Sequence, residues 1–306
     1  MAFAHGKVIL FGEHAVVYGM PAIAVGISAG ARAHAAPAVR SSLSIGEHGA
    51  QVGDGSELGR ALDALVRTLG VAPHSVAVEL ELPPGSGLGA SAALGVAIAR
   101  ALLAASGEAE SATRVLSAAA AWEGVFHGSA SGIDAAASFY GGCLWFSRTE
   151  GALPLVPGSE LSLVVAIAGP PAPTRLMVDS VAQLKARRPE VVDKALAGIG
   201  SIVENGRLAL QAGDCVSLGK LMDLNHMILA GLFLSTEAIE DACNLAREAG
   251  ALGAKLTGAG GGGAVVALVA DDPEPVLAAF RRRNLRCFPA RVSRGGAAGD
   301  PSRGRP

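Results

Sequence analysis

The sequence PPGSGLGASAA at residues 83–93 decides the fold. The residues before it, 75–82, alternate apolar and polar side chains, which predicts a strand. From residue 91 to about residue 105 the sequence is rich in Ala and Leu with helical spacing, which predicts a helix. Glycine allows close backbone approach to a ligand and positive φ. We therefore interpret residues 83–93 as a glycine-rich loop that leads from a strand into a helix.

The residues of this loop leave three interpretations open. The first is an ordinary turn with a helix cap. The second is a dinucleotide-binding loop, since residues 85–90 match G-x-G-x-x-A. That motif also needs an acidic residue after a second strand about 20 residues later. Residues 106–110 instead indicate a loop that enters a helix. The third is a loop for the phosphates of ATP, because the free N–H groups and the dipole at a helix N-terminus attract anions. In that case the Ser91 hydroxyl could reach a Mg²⁺ ion held by the phosphates.

Length and composition exclude several classes of protein. A chain of 306 residues suggests about two domains. Half of its residues are hydrophobic and 17% are charged, so it can bury a large core. The net charge of -2 without a basic cluster argues against nucleic-acid binding. No apolar run reaches the roughly 18 residues of a membrane span, and the four cysteines form no C-x-x-C pair. These features predict a cytoplasmic protein that binds neither nucleic acid nor membrane.

Hydrophobic periodicity predicts a mixed α+β fold, because strands and helices do not alternate strictly. Residues 150–160 are rich in turn-forming residues, and we place a domain boundary there, between domains at 1–150 and 151–294. Residues 295–306 are expected to form a disordered tail. The predicted strands lie at 8–11, 22–35, 75–82, 141–147, 161–168, 263–270 and 287–292. The predicted helices lie at 56–69, 91–105, 111–127, shortly after 132, and at 175–188, 190–211, 214–230, 236–249 and 273–283.

Three segments together resemble the mevalonate kinases, a family within the GHMP kinase superfamily. They are GKVILFGEHAVVYG at residues 6–19, the glycine-rich loop, and KLTGAGGGG at residues 255–263. Their order and separation agree with that family. The resemblance implies a two-domain GHMP kinase fold, with a ribosomal protein S5 domain 2-like N-terminal domain and a ferredoxin-like C-terminal domain.

The resemblance also implies a reaction, which is ATP-dependent phosphorylation of the primary hydroxyl of mevalonate to 5-phosphomevalonate in isoprenoid biosynthesis. The implied ligands are ATP, Mg²⁺ and mevalonate, and a homodimer is compatible with the family. Alternatives are another GHMP kinase, such as a phosphomevalonate kinase, galactokinase or homoserine kinase, or a non-catalytic nucleotide-binding regulator on the same fold.

Several residues take implied roles from the family motifs, and each also has a simpler explanation. Asp134, in HGSASGID at residues 127–134, matches the catalytic base, although Ser131 and Asp134 also fit a capping box. Lys7 matches the lysine beside that base, and could instead be a solvent-exposed residue at a strand end. Ser91 and Glu123 match the Mg²⁺ ligands, and Glu123 could instead lie on an exposed helical turn.

The remaining implied roles concern the two substrates. Glu13, His14, Arg148 and Thr174 match residues near the acceptor, and Thr174 could instead be a helix N-cap. At positions 89–91 the sequence has Gly-Ala-Ser where many relatives have two serines, so one hydroxyl contact to phosphate is absent. The residues implied to contact the phosphates of ATP are Pro84, Gly85, Ser86, Gly87, Leu88, Gly89, Ala90 and Ser91.

Overall fold

The computed structural model describes residues 1–83, 85–127 and 132–292. Within these ranges the chain forms two β-sheets and a set of helices packed on them. The strands are β1 Ala2–Phe11, β2 Ala22–Pro37, β3 Ser42–Ile45, β4 His48–Gln51, β5 His74–Leu80, β6 Cys143–Ser147, β7 Gly151–Leu155, β8 Leu161–Gly169, β9 Gly253–Leu256, β10 Gly263–Val269 and β11 Cys287–Val292. The helices are α1 Glu57–Leu69, α2 Ala90–Ala105, α3 Ala112–His127, α4 Ile133–Tyr140, α5 Thr174–Arg187, α6 Pro189–Ala212, α7 Cys215–Gly231, α8 Glu237–Glu248 and α9 Glu274–Arg282.

The first sheet is organised by the long strand β2. On one side β2 pairs antiparallel with β1, with Lys7 opposite Gly26. On its other side the first part of β2 pairs with β6 and the last part with β5. The full order is β4-β3-β5-β2-β6-β7, with β1 on β2. Among the described strands β1 pairs only with β2, so it lies at an edge of the first sheet, yet its residues from Ala4 to Phe11 are buried.

The second sheet has the strand order β11-β8-β10-β9, with antiparallel pairing throughout. If its strands are numbered along the chain, the order is 4-1-3-2, which is the ferredoxin-like arrangement. Helices α5 to α8 fill the first connection, between β8 and β9, and α9 fills the connection between β10 and β11. The predicted ferredoxin-like C-terminal part is confirmed, as is the mixed α+β class.

Helix α2 is the centre of the N-terminal core, and most of its residues are buried. It packs against β1 and β2 on one side and against α3 and α4 on the other. Small residues allow this close packing. At Gly95, an added Cβ atom would stand 2.9 Å from the Trp122 ring of α3. The rigid packing of α2 fixes the direction in which its N-terminus points.

The predicted helices and most of the long strands are confirmed within a few residues. The exception is β1, which begins at Ala2, six residues before the strand predicted at 8–11. The other differences are in short strands. The segment 150–160 is not turn-rich throughout, because residues 151–155 form β7 and pair with β6. The short strands β3, β4 and β9 were not predicted. The expected tail at 295–306 lies outside the described residues. Among the described helices, none is both long enough and apolar enough to cross a bilayer.

Candidate active site

The glycine-rich loop lies between β5 and α2, and Lys7 of β1 packs against it. The Lys7 backbone N–H donates to the Leu88 carbonyl at 2.8 Å. At Gly89, where φ is +74°, an added Cβ atom would stand 2.8 Å from the Lys7 side chain, so this position requires glycine. Helix α2 begins at the next residue, Ala90, and its first N–H groups have no partner within the helix. Together with the helix dipole they form a site suited to a phosphate.

Two residues of the loop face the protein interior. Leu88 is fully buried in the core. Ser86 is also buried, and its hydroxyl donates to the Pro83 carbonyl at 2.7 Å. That hydroxyl therefore shapes the loop from within. Pro84 lies outside the described residues, and contact between this loop and phosphate stays a prediction.

The dinucleotide interpretation fails on the element that follows α2. That interpretation needs a second strand carrying an acidic residue. In the structure α2 ends at Ala105 and the next element is α3, which begins at Ala112. The loop therefore leads into a pair of helices. Of the two interpretations that involve a ligand, only a loop for the phosphates of ATP remains.

Lys7 and Asp134 form an ion pair, with 3.1 Å between Lys7 Nζ and Asp134 Oδ1. The Lys7 side chain is 4% exposed, so the alternative of a solvated lysine is wrong. Asp134 lies in the first turn of α4, whose N-cap is Gly132, and its side chain is 36% exposed. Ser131, the other member of the proposed capping box, lies outside the described residues. The structure thus places a half-exposed carboxylate beside a buried cation.

Glu123 is a buried carboxylate on α3, close to this ion pair. The residue is only 4% exposed, so the alternative of an exposed helical turn is wrong. The pKa of Glu123 is raised from 4.5 to about 8, first by burial and then by the negative charge of Asp134, while Lys7 opposes the shift. Its Oε2 atom has no hydrogen-bond partner among the described residues. A buried acceptor without a donor is costly unless a bound group compensates it.

The Ser91 hydroxyl is a second buried oxygen without a partner in the described part of the chain. The Trp122 indole N–H donates to the Ser91 backbone carbonyl at 3.0 Å, which ties α3 to the first turn of α2. Trp122 directly precedes Glu123. Two hard oxygen atoms, next to a helix end suited to phosphate, would fit a Mg²⁺ ion that completes its coordination with phosphates and water. Among the described residues, no group of three or more His, Cys, Asp or Glu side chains could hold a metal.

A second glycine-rich loop, residues 257–263, lies against the first. An added Cβ atom at Gly87 would stand 3.3 Å from the Thr257 carbonyl, and one at Gly263 would stand 3.1 Å from the Ser86 carbonyl. The Thr257 hydroxyl accepts from the Ile9 N–H at 2.8 Å and donates to the Ile9 carbonyl at 3.2 Å. The second loop is therefore fixed to β1, the strand that carries Lys7.

The side chain of Glu13 is fully engaged within the protein. Its Oε1 atom forms an ion pair with Lys255 of β9, and its Oε2 atom accepts from the Asn225 amide at 3.1 Å. Lys255 is completely buried, and it also donates to the Leu256 carbonyl at 2.6 Å. Burial lowers the pKa of Lys255, and the Glu13 carboxylate opposes this effect.

Lys255 and Asn225 are the residues of this region that sequence reasoning missed. A lysine within the apolar run GAKL at residues 253–256 was the available signal, because such a lysine is buried only when it is paired. No comparable signal marks Asn225.

The other three predicted acceptor residues differ in exposure. His14 is buried, and its Nε2 atom donates to the Ala259 carbonyl at 2.8 Å. Arg148 is exposed in the turn between β6 and β7. Thr174 is exposed as the first residue of α5, and the N-cap is Pro173, so the N-cap alternative for Thr174 is wrong.

The start of α5 nevertheless lies beside the first glycine-rich loop. An added Cβ atom at Gly85 would stand 3.2 Å from the Pro171 ring, and Pro171 precedes α5 by three residues. The structure therefore brings Lys7, Asp134, Glu123, Ser91 and the two glycine-rich loops together. It places Thr174 at the edge of this group and Arg148 on an exposed turn.

The fold and this site define a kinase of the GHMP class. The family model for the GHMP kinases N terminal domain matches residues 57–142, and the model for GHMP kinases C terminal matches residues 207–286. The mevalonate kinase of Thermococcus sibiricus is 32% identical, over 97% of both chains. The mevalonate kinase of Aeropyrum pernix is 34% identical, also over 97% of both chains. The chain belongs to the mevalonate kinase family.

A solved structure agrees with this assignment. The crystal structure of L. major mevalonate kinase in complex with R-mevalonate is 32% identical, and it superposes with a TM-score of 0.86. The match covers 97% of this chain and 96% of that one. The similarity therefore extends over both sheets and over the site between them.

Proposed function

We propose that this chain transfers the γ-phosphoryl group of ATP to the primary hydroxyl of mevalonate, giving 5-phosphomevalonate for isoprenoid biosynthesis. The observation that carries the proposal is the 3.1 Å ion pair between Lys7 and Asp134 beside the N-terminus of α2. A carboxylate that can accept a hydroxyl proton, next to a helix end that can hold phosphates, is what transfer to an alcohol needs. The L. major enzyme, whose crystal contains R-mevalonate, supports the choice of acceptor.

Each group has a definite task in this proposal. Asp134 accepts the proton of the acceptor hydroxyl as its oxygen attacks the γ-phosphorus. Lys7 keeps that carboxylate oriented and stabilises negative charge that develops during transfer. The N–H groups that open α2 hold phosphate oxygens of ATP in the glycine-rich loop. Most of the rate enhancement then comes from positioning and charge stabilisation.

A Mg²⁺ ion fits the two unpartnered oxygens of Ser91 and Glu123. When bound, it would neutralise phosphate charge and orient the transferred group. Glu123 would be ionised when it serves as a ligand, so metal binding releases the proton that burial favours in the ion-free protein. Ser91, in the first turn of α2, would hold the ion next to the phosphate site.

The acceptor carboxylate requires a cation or hydrogen-bond donors on the other side of Asp134. Arg148 and Thr174 are the proposed groups, since a guanidinium is well suited to a carboxylate. Glu13 and His14 are buried and bonded to other parts of the chain, so their proposed role is to support the acceptor side without contacting mevalonate. The domain division at about 150, the homodimer and the cytoplasmic location also stay predictions.

An acceptor screen tests the proposed reaction. The purified protein is incubated with ATP, Mg²⁺ and one of four acceptors (mevalonate, phosphomevalonate, galactose or homoserine), and ADP release is followed by a coupled assay. We expect turnover with mevalonate to exceed turnover with the other acceptors. Faster turnover with another acceptor would reassign the substrate within the GHMP kinases. No ADP release with any acceptor would favour a non-catalytic nucleotide-binding protein.

The Ser91→Ala variant tests the magnesium assignment. We expect the Mg²⁺ concentration for half-maximal activity to rise roughly tenfold or more, because one hard oxygen ligand is lost. Folding should be retained, because Trp122 bonds to the Ser91 carbonyl and not to its hydroxyl. Titration calorimetry of Mg²⁺ with the nucleotide-bound protein gives a readout that is independent of turnover.

Ser106→Ala is the matched control for this variant. Its hydroxyl is also buried without a partner among the described residues, but it lies at the opposite end of α2. The control should leave the magnesium titration unchanged. If Ser91→Ala also leaves it unchanged, Ser91 is not a magnesium ligand.

A further inference from the structure

His14 combines an unusual backbone conformation with a buried side chain. Its φ is +59° and its ψ is −43°, a positive-φ conformation outside the left-handed helical region that residues other than glycine adopt at a cost. Its side chain is nevertheless buried, and Nε2 lies 2.8 Å from the Ala259 carbonyl oxygen. A carbonyl can only accept, so Nε2 carries the proton and donates it. Such a conformation persists only where the surrounding structure enforces it.

The two residues before His14 supply that constraint. Gly12 has φ of +102°, and an added Cβ atom there would stand 2.6 Å from Ala22 of β2. Glu13 is held through both carboxylate oxygens, by Lys255 and by Asn225. The backbone is thus fixed before His14, and the imidazole ring is directed at the second glycine-rich loop.

The position of Ala259 shows why this bond matters. Residues 257–263 are anchored at Thr257 through its two hydrogen bonds with Ile9. They are anchored again at Gly261, whose N–H donates to the Leu234 carbonyl at 2.7 Å. Ala259 lies midway between these anchors, and the His14 bond holds it. Five glycines in this loop have positive φ, so the segment has little intrinsic stiffness and depends on such anchors.

We propose that His14 is a positioning residue, which fixes residues 257–263 against the phosphate loop and so sets the geometry of phosphoryl transfer. This inference rests on the proposed kinase function, because it assigns His14 a part in the same reaction. The two loops approach so closely at Gly87 and Gly263 that an added Cβ atom there would stand 3.3 Å and 3.1 Å from a carbonyl oxygen of the facing loop. A displacement of one loop is therefore expected to affect the other. A displacement of about 1 Å can lower a rate by about 100-fold, even when the change lies away from the reacting atoms.

Two substitutions at position 14 separate positioning from general stability. Asn, like His, is among the non-glycine residues found most often at positive φ, but it is too short to reach Ala259. Gln is longer, and its terminal amide N–H can donate to the same carbonyl. We expect His14→Asn to lower kcat roughly 10–100-fold, and His14→Gln to recover most of that loss. Neither should change the KM for mevalonate by more than about threefold, since the loss comes from alignment and not from substrate binding.

Hydrogen exchange of the ligand-free protein supplies a readout that does not depend on activity. We expect faster exchange at residues 258–263 in His14→Asn and nearly native exchange in His14→Gln. His48→Asn, the same change at an exposed position of β4, should leave both exchange and kcat unchanged. Thermal unfolding of each variant shows whether the protein remains folded.

Unchanged exchange at residues 258–263 in His14→Asn would overturn the proposal. So would a loss that appears only in the KM for mevalonate, because that pattern indicates direct contact with the acceptor. The proposed kinase function and the proposed role of His14 can be disproved separately. If the native protein releases no ADP with any acceptor, the proposed function is lost, while the exchange data still decide whether His14 holds the loop.

Discussion

The Asp134→Asn variant is expected to lose about 10²–10⁴-fold in kcat, the usual size of a general-base contribution. The amide has nearly the shape of the carboxylate but cannot accept the proton of the acceptor hydroxyl. It also removes the negative partner of Lys7, whose Nζ atom lies 3.1 Å from the carboxylate. The KM values for ATP and mevalonate should change little, because the lost interaction is made mainly in the transition state. The measurement is steady-state ADP release at saturating Mg²⁺.

Asp63→Asn is the matched control for this change. Asp63 forms an ion pair with Arg67 on α1, at 2.9 Å, in an exposed i,i+4 arrangement. Such surface pairs contribute little to stability, so this variant should keep native kcat and native unfolding behaviour. Full turnover in Asp134→Asn, with the control also active, would remove Asp134 from the role of base.

The fold was largely predictable because most of its elements have local signals. Helix α1 has leucines at helical spacing and a Ser56 N-cap, whose hydroxyl accepts from the Gly59 N–H at 2.9 Å. The elements that were missed depend on distant partners. β7 contains Gly and Pro, and its pairing with β6 decides its conformation. β9 contains Lys255, whose partner Glu13 is 242 residues away in the sequence.

The site was predictable only in part, because its contacts also join residues that are distant in the sequence. Lys7 and Asp134 are separated by more than a hundred residues, and nothing in their local sequence indicates that they meet. The family motifs supplied that expectation, while the residues alone left capping and solvent exposure as alternatives. No pattern indicated that the Ser86 hydroxyl turns inward or that Glu13 is held through both oxygens, because these contacts arise from packing between distant segments.

The Glu123→Gln variant is expected to be more stable than the native protein without ligands at pH 8, and much less active. Glu123 has its pKa raised from 4.5 to about 8, first by burial and then by the charge of Asp134, against the opposing effect of Lys7. Between pH 4.5 and about pH 8, Glu123 of the folded protein holds a proton that the unfolded chain has released. Native stability therefore falls as pH rises from about 4.5 to about 8 and levels off above. At about 1.4 kcal/mol per pH unit, the upper bound of this loss is about 5 kcal/mol.

Glutamine removes this pH dependence, because it stays neutral and its amide costs less to bury than a carboxylate. Urea unfolding of both proteins in EDTA, at pH 5 and pH 8, measures the effect. We expect similar stabilities at pH 5 and a clear advantage for the variant at pH 8. With Mg²⁺ and ATP present the order should reverse, since the native carboxylate can bind the ion and glutamine binds it poorly.

The activity of Glu123→Gln should fall most at low Mg²⁺ and recover partly at high Mg²⁺. This combination, a gain in ligand-free stability and a loss of function, is characteristic of a charge that is kept for a ligand and not for the fold. Equal pH dependence of unfolding in the two proteins would show that Glu123 is already compensated within the protein. In that case the unpartnered Oε2 atom gives no support to the magnesium site, and Ser91 would have to be paired with a different ligand.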